Sequence, residues 1–112
     1  FENYNIFIFG AGDIGRALSI TLQRFDLFSG FIDNDPKKQE MGCWGQKVYS
    51  YIDFKMNIEK PFVIVAATHQ NEKVMCQQII KDNIPYMCAE EFLNKYLPPY
   101  LYFKKKKKGG NR

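Results

Sequence analysis

Short apolar runs alternate with longer amphipathic segments along the chain. Runs rich in β-forming residues lie at 5–9, 29–32, 62–67 and 86–88, and each suits a strand of a buried parallel sheet. Helical spacing of apolar residues follows over 14–25, 71–81 and 90–96. The pattern predicts that the buried side of the first helix is formed by Ile14, Leu18, Thr21, Leu22 and Phe25, and that of the second by Val74, Met75, Gln78 and Ile79.

The stretch between the second and third of these runs is less regular. Residues 34–46 include a proline and two glycines and are predicted to form a loop, which leads to a brief extended piece at 47–49. Ser50 suits the N-cap of a short helix over 52–56, although Phe54 and Met56 leave its register open. Strands alternating with helices predict a small doubly wound α/β domain of Rossmann-like type, with a mostly parallel sheet of four to five strands.

Charge is divided unevenly along the chain. The net charge is +4, but residues 1–97 carry ten basic against twelve acidic residues, and the remaining six basic residues lie in 98–112. We therefore expect a Rossmann-like domain over 1–97 and a basic tail or linker over 98–112. The mildly acidic body gives no indication of nucleic-acid binding.

The apolar runs and the cysteines restrict the setting further. The longest uninterrupted apolar run, residues 62–67, is too short to span a membrane, and no secretory signal is visible. The three cysteines are odd in number and have no C-x-x-C spacing, and a single histidine cannot anchor a multi-histidine site. These features predict a protein of the reducing cytoplasm, without disulfides or structural zinc.

A glycine motif follows the first predicted strand, in the run Gly10-Ala11-Gly12-Asp13-Ile14-Gly15. In this context the first glycine permits a tight turn, the second lets a phosphate approach the backbone, and the third lets the helix pack close to the sheet. The N–H groups at the helix start favour an anion. The charge of Asp13 opposes a bound pyrophosphate, and Arg16 offsets it only if its side chain turns toward the ligand. We predict that the six residues of this loop contact a nucleotide.

An acidic residue lies at the predicted end of the second strand. Asp33 lies 18 residues after Gly15, where a carboxylate can accept hydrogen bonds from ribose hydroxyl groups. Together with Asn34 it forms the predicted nucleoside side of the site. A 2′-phosphate would meet the charge of Asp33, so NAD is favoured over NADP. Lys37 and Lys38 are interpreted as solvated residues of a turn, with weakening of this preference as the alternative.

Residues that follow the third strongly predicted strand complete the predicted site. Ligands of open α/β sheets bind outside the carboxyl ends of the strands, so Ala67, Thr68 and His69 are expected to border the pocket. Tyr51 and Lys55 have the Y-x-x-x-K spacing of short-chain dehydrogenases but lie on a short connecting helix, and we interpret them as a coincidental surface pair. No catalytic residue can be named from the sequence.

The motif from Ile8 to Arg16, the run from Gly30 to Pro36 and the run from Gly45 to Ser50 together resemble one type of module. It is the compact Rossmann-like domain attached to bacterial enzymes that modify surface sugars and small molecules. Examples are the N-terminal domain of sugar acyltransferases with a left-handed β-helix, and similar domains beside methyltransferases or radical S-adenosylmethionine enzymes. The resemblance covers residues 4–97. It implies a nucleotide-sugar with its phosphates at the glycine loop and its nucleoside at Asp33. The catalytic β-helix and the three-cysteine cluster of those enzymes are absent from this sequence.

Three functions are compatible with the sequence. The first is a module that binds a nucleotide or nucleotide-sugar and serves a downstream catalytic domain. The second is a fragment of an NAD-dependent oxidoreductase or epimerase, in which His69 or Tyr51 would transfer a proton. The third is an empty Rossmann-like fold used for dimerisation, since the aromatic-rich composition leaves open a homodimer through an apolar face.

Overall fold

A computed structural model describes residues 3–96 of the chain. Five strands alternate with five helices along these residues. In chain order they are β1 (Asn5–Phe9), α1 (Asp13–Arg24), β2 (Phe28–Ile32), α2 (Pro36–Met41), β3 (Val48–Tyr49), α3 (Tyr51–Asn57), β4 (Pro61–Val65), α4 (His69–Lys81), β5 (Tyr86–Cys88) and α5 (Ala89–Tyr96). The predicted tail over 98–112 lies outside the described residues.

The strands form a single sheet in the order β3-β2-β1-β4-β5, and all neighbouring pairs are parallel. The predicted fold class is confirmed: the domain is a small doubly wound α/β fold of Rossmann-like type. The brief extended piece of the sequence is β3, which pairs with β2 at the edge of the sheet.

Alternate residues of β1 supply the two halves of the core. Ile6 and Ile8 belong to one apolar cluster with residues of α1 and α5, while Phe7 and Phe9 belong to a second with residues of α3 and α4. Because both faces of the central strands are covered by helices, every position from residue 6 to 9 is apolar and fully buried.

Two predicted helix faces are partly wrong. In α1, Leu18 and Leu22 are buried, but Ile14 and Phe25, the first and last residues of the predicted stripe, are 50% and 61% exposed. In α4, Met75 and Ile79 are buried and Val74 is exposed. Gly15 and Ser19 of α1 are buried as well, and at Gly15 the helix lies too close to the end of β1 for any side chain.

The loop predicted over 34–46 contains a short helix and a tight turn. Asp35 caps α2 by accepting a hydrogen bond from the Lys37 N–H at 3.0 Å, and proline occupies the first helical position. After α2, Cys43 and Gln46 exchange two main-chain hydrogen bonds around Trp44 and Gly45, both of which have positive φ. The fixed φ of the proline and the side-chain cap thus make this stretch ordered although it buries no residue of α2.

Candidate functional site at the carboxyl edge of the sheet

The strand order reverses direction between β1 and β4, which places a crevice between the ends of these strands. The chain leaves β1 toward β2 on one side, whereas β4 lies on the other. A cleft of about 410 Å³ opens at this point. Its described lining residues come from the ends of β1, β2 and β4 and from α1, α2 and α4: Gly10, Gly12, Asp13, Ile14, Asp33, Asp35, Lys38, Ala66, Ala67, Thr68, Asn71 and Met75. A crevice of this kind is the usual ligand position in doubly wound sheets.

The three glycines of the motif have different surroundings. Gly10 has φ +114°, and a Cβ there would lie 2.2 Å from the carbonyl oxygen of Ala66. A Cβ on Gly15 would lie 2.1 Å from the carbonyl oxygen of Gly10, so α1 packs directly against the end of β1. A Cβ on Gly12, in contrast, would have no neighbour within 4 Å. The fold therefore explains the first and third glycines, and nothing within the described protein requires the second.

The amino ends of two helices border the cleft. Gly12 is the N-cap of α1 and Thr68 is the N-cap of α4, and neither helix has a side-chain cap. The first N–H groups of an α-helix have no partner within the helix, and the aligned peptide dipoles leave partial positive charge at this end. Together the two ends give the cleft an attraction for anions that opposes the negative charge of the exposed Asp13.

The side chain of Arg16 does not contribute to this anion site. Its guanidinium carbon lies 5.3 Å from the ring centroid of Trp44, which packs in turn on Phe31. This contact is a cation–π interaction on the α1 side of the sheet. Among the residues described around the cleft, the positive charge available to a ligand therefore comes from the two helix ends and from Lys38.

Asp33 fixes the glycine loop from the end of β2. One carboxylate oxygen accepts a hydrogen bond from the Ala11 N–H at 2.8 Å, and the other accepts one from the Asp35 N–H at 2.9 Å. Lys38 Nζ donates to the Ala11 carbonyl oxygen at 3.0 Å and lies 3.8 Å from Asp33 Oδ2. Both main-chain groups of Ala11 are thus held by side chains, and the loop is preorganised.

The other predicted site residues divide into three groups. Ala67 and Thr68 line the cleft together with Asp13 and Ile14. The amide of Asn34 instead donates to Gln78 Oε1 of α4 at 3.2 Å, and Asn34 is not among the described lining residues. His69 begins α4, but its side chain lies outside what the structure describes.

A second, larger cleft of about 800 Å³ lies beside the first, with Ile14, Ala67 and Thr68 common to both. It extends over the ends of β4 and β5 toward α5. At its wall the Cys88 thiol donates a hydrogen bond to Glu72 Oε1 at 2.8 Å. Burial first, and then the Glu72 carboxylate, raise the pKa of Cys88 to about 12. The thiol is therefore protonated at neutral pH and is poorly suited to act as a nucleophile.

Tyr51 and Lys55 of α3 contact the end of α4, and Tyr51 does not resemble the catalytic acid of a dehydrogenase. The Tyr51 hydroxyl donates to Asp82 Oδ2 at 2.7 Å and also contacts the Gln78 carbonyl oxygen at 2.9 Å, while Lys55 Nζ lies 3.5 Å from Asp82. Burial and the carboxylate raise the pKa of Tyr51, the opposite of what proton donation requires. Neither residue is among the described residues that line the two clefts.

We expect the Tyr51→Phe variant to be less stable than the wild type near pH 7, with the difference shrinking below about pH 4. The tyrosine hydrogen bond is the main cause that lowers the pKa of Asp82 in the folded protein from its ordinary value of 3.8. A carboxyl whose folded pKa is depressed stabilises the fold above its unfolded pKa, and this contribution is lost as pH falls through the folded pKa. Melting curves of both proteins from pH 7 to pH 2.5 should differ by several degrees at the high end. A constant difference across the range would contradict the assignment, and Lys55→Met serves as a milder control.

Sequence reasoning preferred the wrong interpretation of Lys38 and missed the amino end of α4. The sequence contained a signal for the first, because Asp35 followed by a proline is a typical helix start. A helix beginning there turns the chain back over the glycine loop, so that Lys38 contacts Ala11 and is not a solvated turn residue. Lys37 is exposed, as expected. From the sequence, Thr68 is expected beside the pocket but the following helix only from residue 71, whereas α4 begins at His69 and so presents its amino end to the cleft.

Comparisons with protein-family models, with curated proteins and with solved structures find no match for this chain. No helix among the described residues is long and apolar enough to cross a membrane. In the same part of the chain, no three histidine, cysteine or acidic side chains are grouped as metal ligands would be.

Proposed function

We propose that this domain binds a nucleotide or nucleotide-sugar across the carboxyl edge of its sheet. The phosphates would lie over Gly12, between the amino ends of α1 and α4, and the nucleoside would lie toward Asp33 and α2. The adjoining cleft over β4 and β5 would receive the rest of the ligand, as the nicotinamide half of NAD or the sugar of a nucleotide-sugar. The domain would serve as the binding module of an enzyme that modifies surface sugars or small molecules.

One observation carries this proposal: the fold has no use of its own for the glycine at position 12. Gly12 has φ −108° and ψ −161°, an extended conformation open to any residue, and a Cβ there would point into open space. Serine, threonine, aspartate or asparagine would cap α1 at least as well. A glycine here is explained if a ligand, such as a phosphate, must approach the main chain closely.

We expect the Gly12→Ser variant to be as stable as the wild type or more so, and to lose nucleotide binding. A serine at this N-cap can accept a hydrogen bond from the first turn of α1 and restricts the unfolded chain. Together these effects add about 0.5–1 kcal/mol to the free energy of unfolding. Its side chain would occupy the phosphate position. Thermal unfolding of both proteins is measured against NAD⁺, NADP⁺, UDP, UDP-N-acetylglucosamine and coenzyme A.

A ligand at 100 times its dissociation constant should stabilise the wild type by about 2.7 kcal/mol, which is several degrees for a domain of this size. The unliganded melting curve of Gly12→Ser is the internal control, because a variant that melts no earlier has kept the fold. An equal ligand shift in both proteins would exclude phosphate binding at this loop. No shift in the wild type at millimolar concentrations would favour a structural, dimer-forming domain instead.

The same measurement separates the two nucleotide-binding functions. A shift with NAD⁺ alone would favour the oxidoreductase fragment, whereas a shift with UDP compounds alone would favour the sugar-handling module.

Asp33→Ala is a poor variant for testing the nucleoside side of the site, because it would release the Ala11 and Asp35 N–H groups that Asp33 holds. Asp33→Asn retains one acceptor oxygen and is the better choice.

A further inference from the structure

We propose that Lys38 makes the nucleoside side of the cleft selective for a nucleotide with a second phosphate on its ribose. This inference rests on the proposed function and names the ligand class more closely. Such a nucleotide carries a phosphate ester on a ribose hydroxyl, as in the 2′-phosphate of NADP or the 3′-phosphate of coenzyme A. It reverses the preference for NAD that Asp33 suggests when the sequence is considered alone.

The first step concerns the carboxylate of Asp33. An acid at this position repels a ribose phosphate when its charge faces the ligand without compensation. Here both of its oxygens already accept main-chain N–H groups, from Ala11 and Asp35, and the side chain of Asp33 is only 13% exposed. The ammonium group of Lys38 lies 3.8 Å away and offsets its charge. Asp33 is thus engaged in holding the loop, and its repulsion of a ribose phosphate is weakened.

The second step concerns the hydrogen-bonding capacity of Lys38. An ammonium group has three N–H donors, and the described hydrogen bond to the Ala11 carbonyl oxygen uses one of them. The Lys38 side chain is 37% exposed and lines the cleft. Among the described lining residues it is the only basic one. A phosphate on the ribose would therefore find a cation with remaining donors beside it.

Two further acids face the same cleft and must be weighed against this attraction. Asp13 and Asp35 are both exposed, so water and salt screen their charges. Asp35 is also occupied as the cap of α2, where it accepts the Lys37 N–H. Lys38 is the less exposed charge, and an interaction with it is screened less than one with either aspartate.

The test compares three adenosine nucleotides by calorimetry: the 5′-monophosphate, the 2′,5′-bisphosphate and the 3′,5′-bisphosphate. The wild type should bind one bisphosphate about tenfold more tightly than the monophosphate, and which one identifies the phosphate position. Lys38→Met should abolish this preference. Lys38→Arg should retain it, and Lys37→Met, with an exposed neighbouring lysine removed, should leave it unchanged.

The outcomes separate this inference from the function on which it rests. A wild-type protein that binds the monophosphate at least as tightly as both bisphosphates overturns the role of Lys38, and so does a preference that survives in Lys38→Met. The proposed function stands in both cases if Gly12→Ser abolishes the binding. If no nucleotide binds, both fall together.

Discussion

The Gly10→Ala variant is expected to lose a large part of the stability of the domain. Gly10 has φ +114°, and an added Cβ would lie 2.2 Å from the carbonyl oxygen of Ala66, a residue whose N–H donates to the Phe9 carbonyl oxygen at 2.9 Å. Backbone strain costs about 1–3 kcal/mol and overpacking of a close contact a similar amount. A loss of about 3–5 kcal/mol is a large part of the 5–15 kcal/mol that is typical of small domains. The midpoint of thermal unfolding should fall by about 15 °C or more.

Gly45→Ala is the matched control for this prediction. Gly45 also has a positive φ, +75°, but an added Cβ there has no neighbour within 4 Å. An alanine at this position is strained by the positive φ but has no steric clash, so we expect the free energy of unfolding to fall by about 1–2 kcal/mol. Equal losses in the two variants would show that the contact with Ala66 is relieved by a small movement of the strand ends. The conclusion that Gly10 packs too closely against Ala66 to accept a side chain would then be wrong.

The glycine positions illustrate which parts of the site can be predicted from sequence. A strand, a G-x-G-x-x-G run and a helix in that order have few physical solutions, so the turn at Gly10 and the close packing at Gly15 could be anticipated. The position of Asp33 beside the loop followed from the parallel pairing of β2 with β1. What the sequence did not specify was the partner of the carboxylate, because the glycine-loop main chain and a ribose both offer hydrogen-bond donors.

The errors in the fold have a common physical origin. Helical periodicity gives the direction of an apolar stripe but not the distance between helix and sheet. At the start of α1 that distance is set by Gly15, so Ile14 is left at the rim of the two clefts and is not in the core. In α4, Met75 and Ile79 belong to the core cluster with residues of β1 and β4, whereas Val74 is exposed. Such distances depend on tertiary packing, which overrides local pattern.

The exposed apolar side chain of Ile14 connects these packing errors with the proposed site. A half-exposed isoleucine at the junction of two clefts loses contact with water when a ligand covers it, and this favours binding. Ile14, which was predicted to lie in the core, is thus a residue that the proposed ligand would bury. Local disagreement between pattern and packing is more common at functional positions than in the rest of a fold.

The Phe54→Ala variant should destabilise the domain by about 3–5 kcal/mol, whereas Met56→Ala should change its stability by less than about 0.5 kcal/mol. Sequence alone left the register of α3 open between these two residues. In the structure Phe54 is fully buried and packs edge-on against Phe7 with ring centroids 5.0 Å apart, while Met56 is 75% exposed. Truncating the phenylalanine leaves a cavity beneath α3, because the helix is also tied to α4 through Tyr51 and cannot collapse freely onto β1. Urea unfolding of both variants measures the difference, and similar midpoints would mean that α3 is rotated from the position described here.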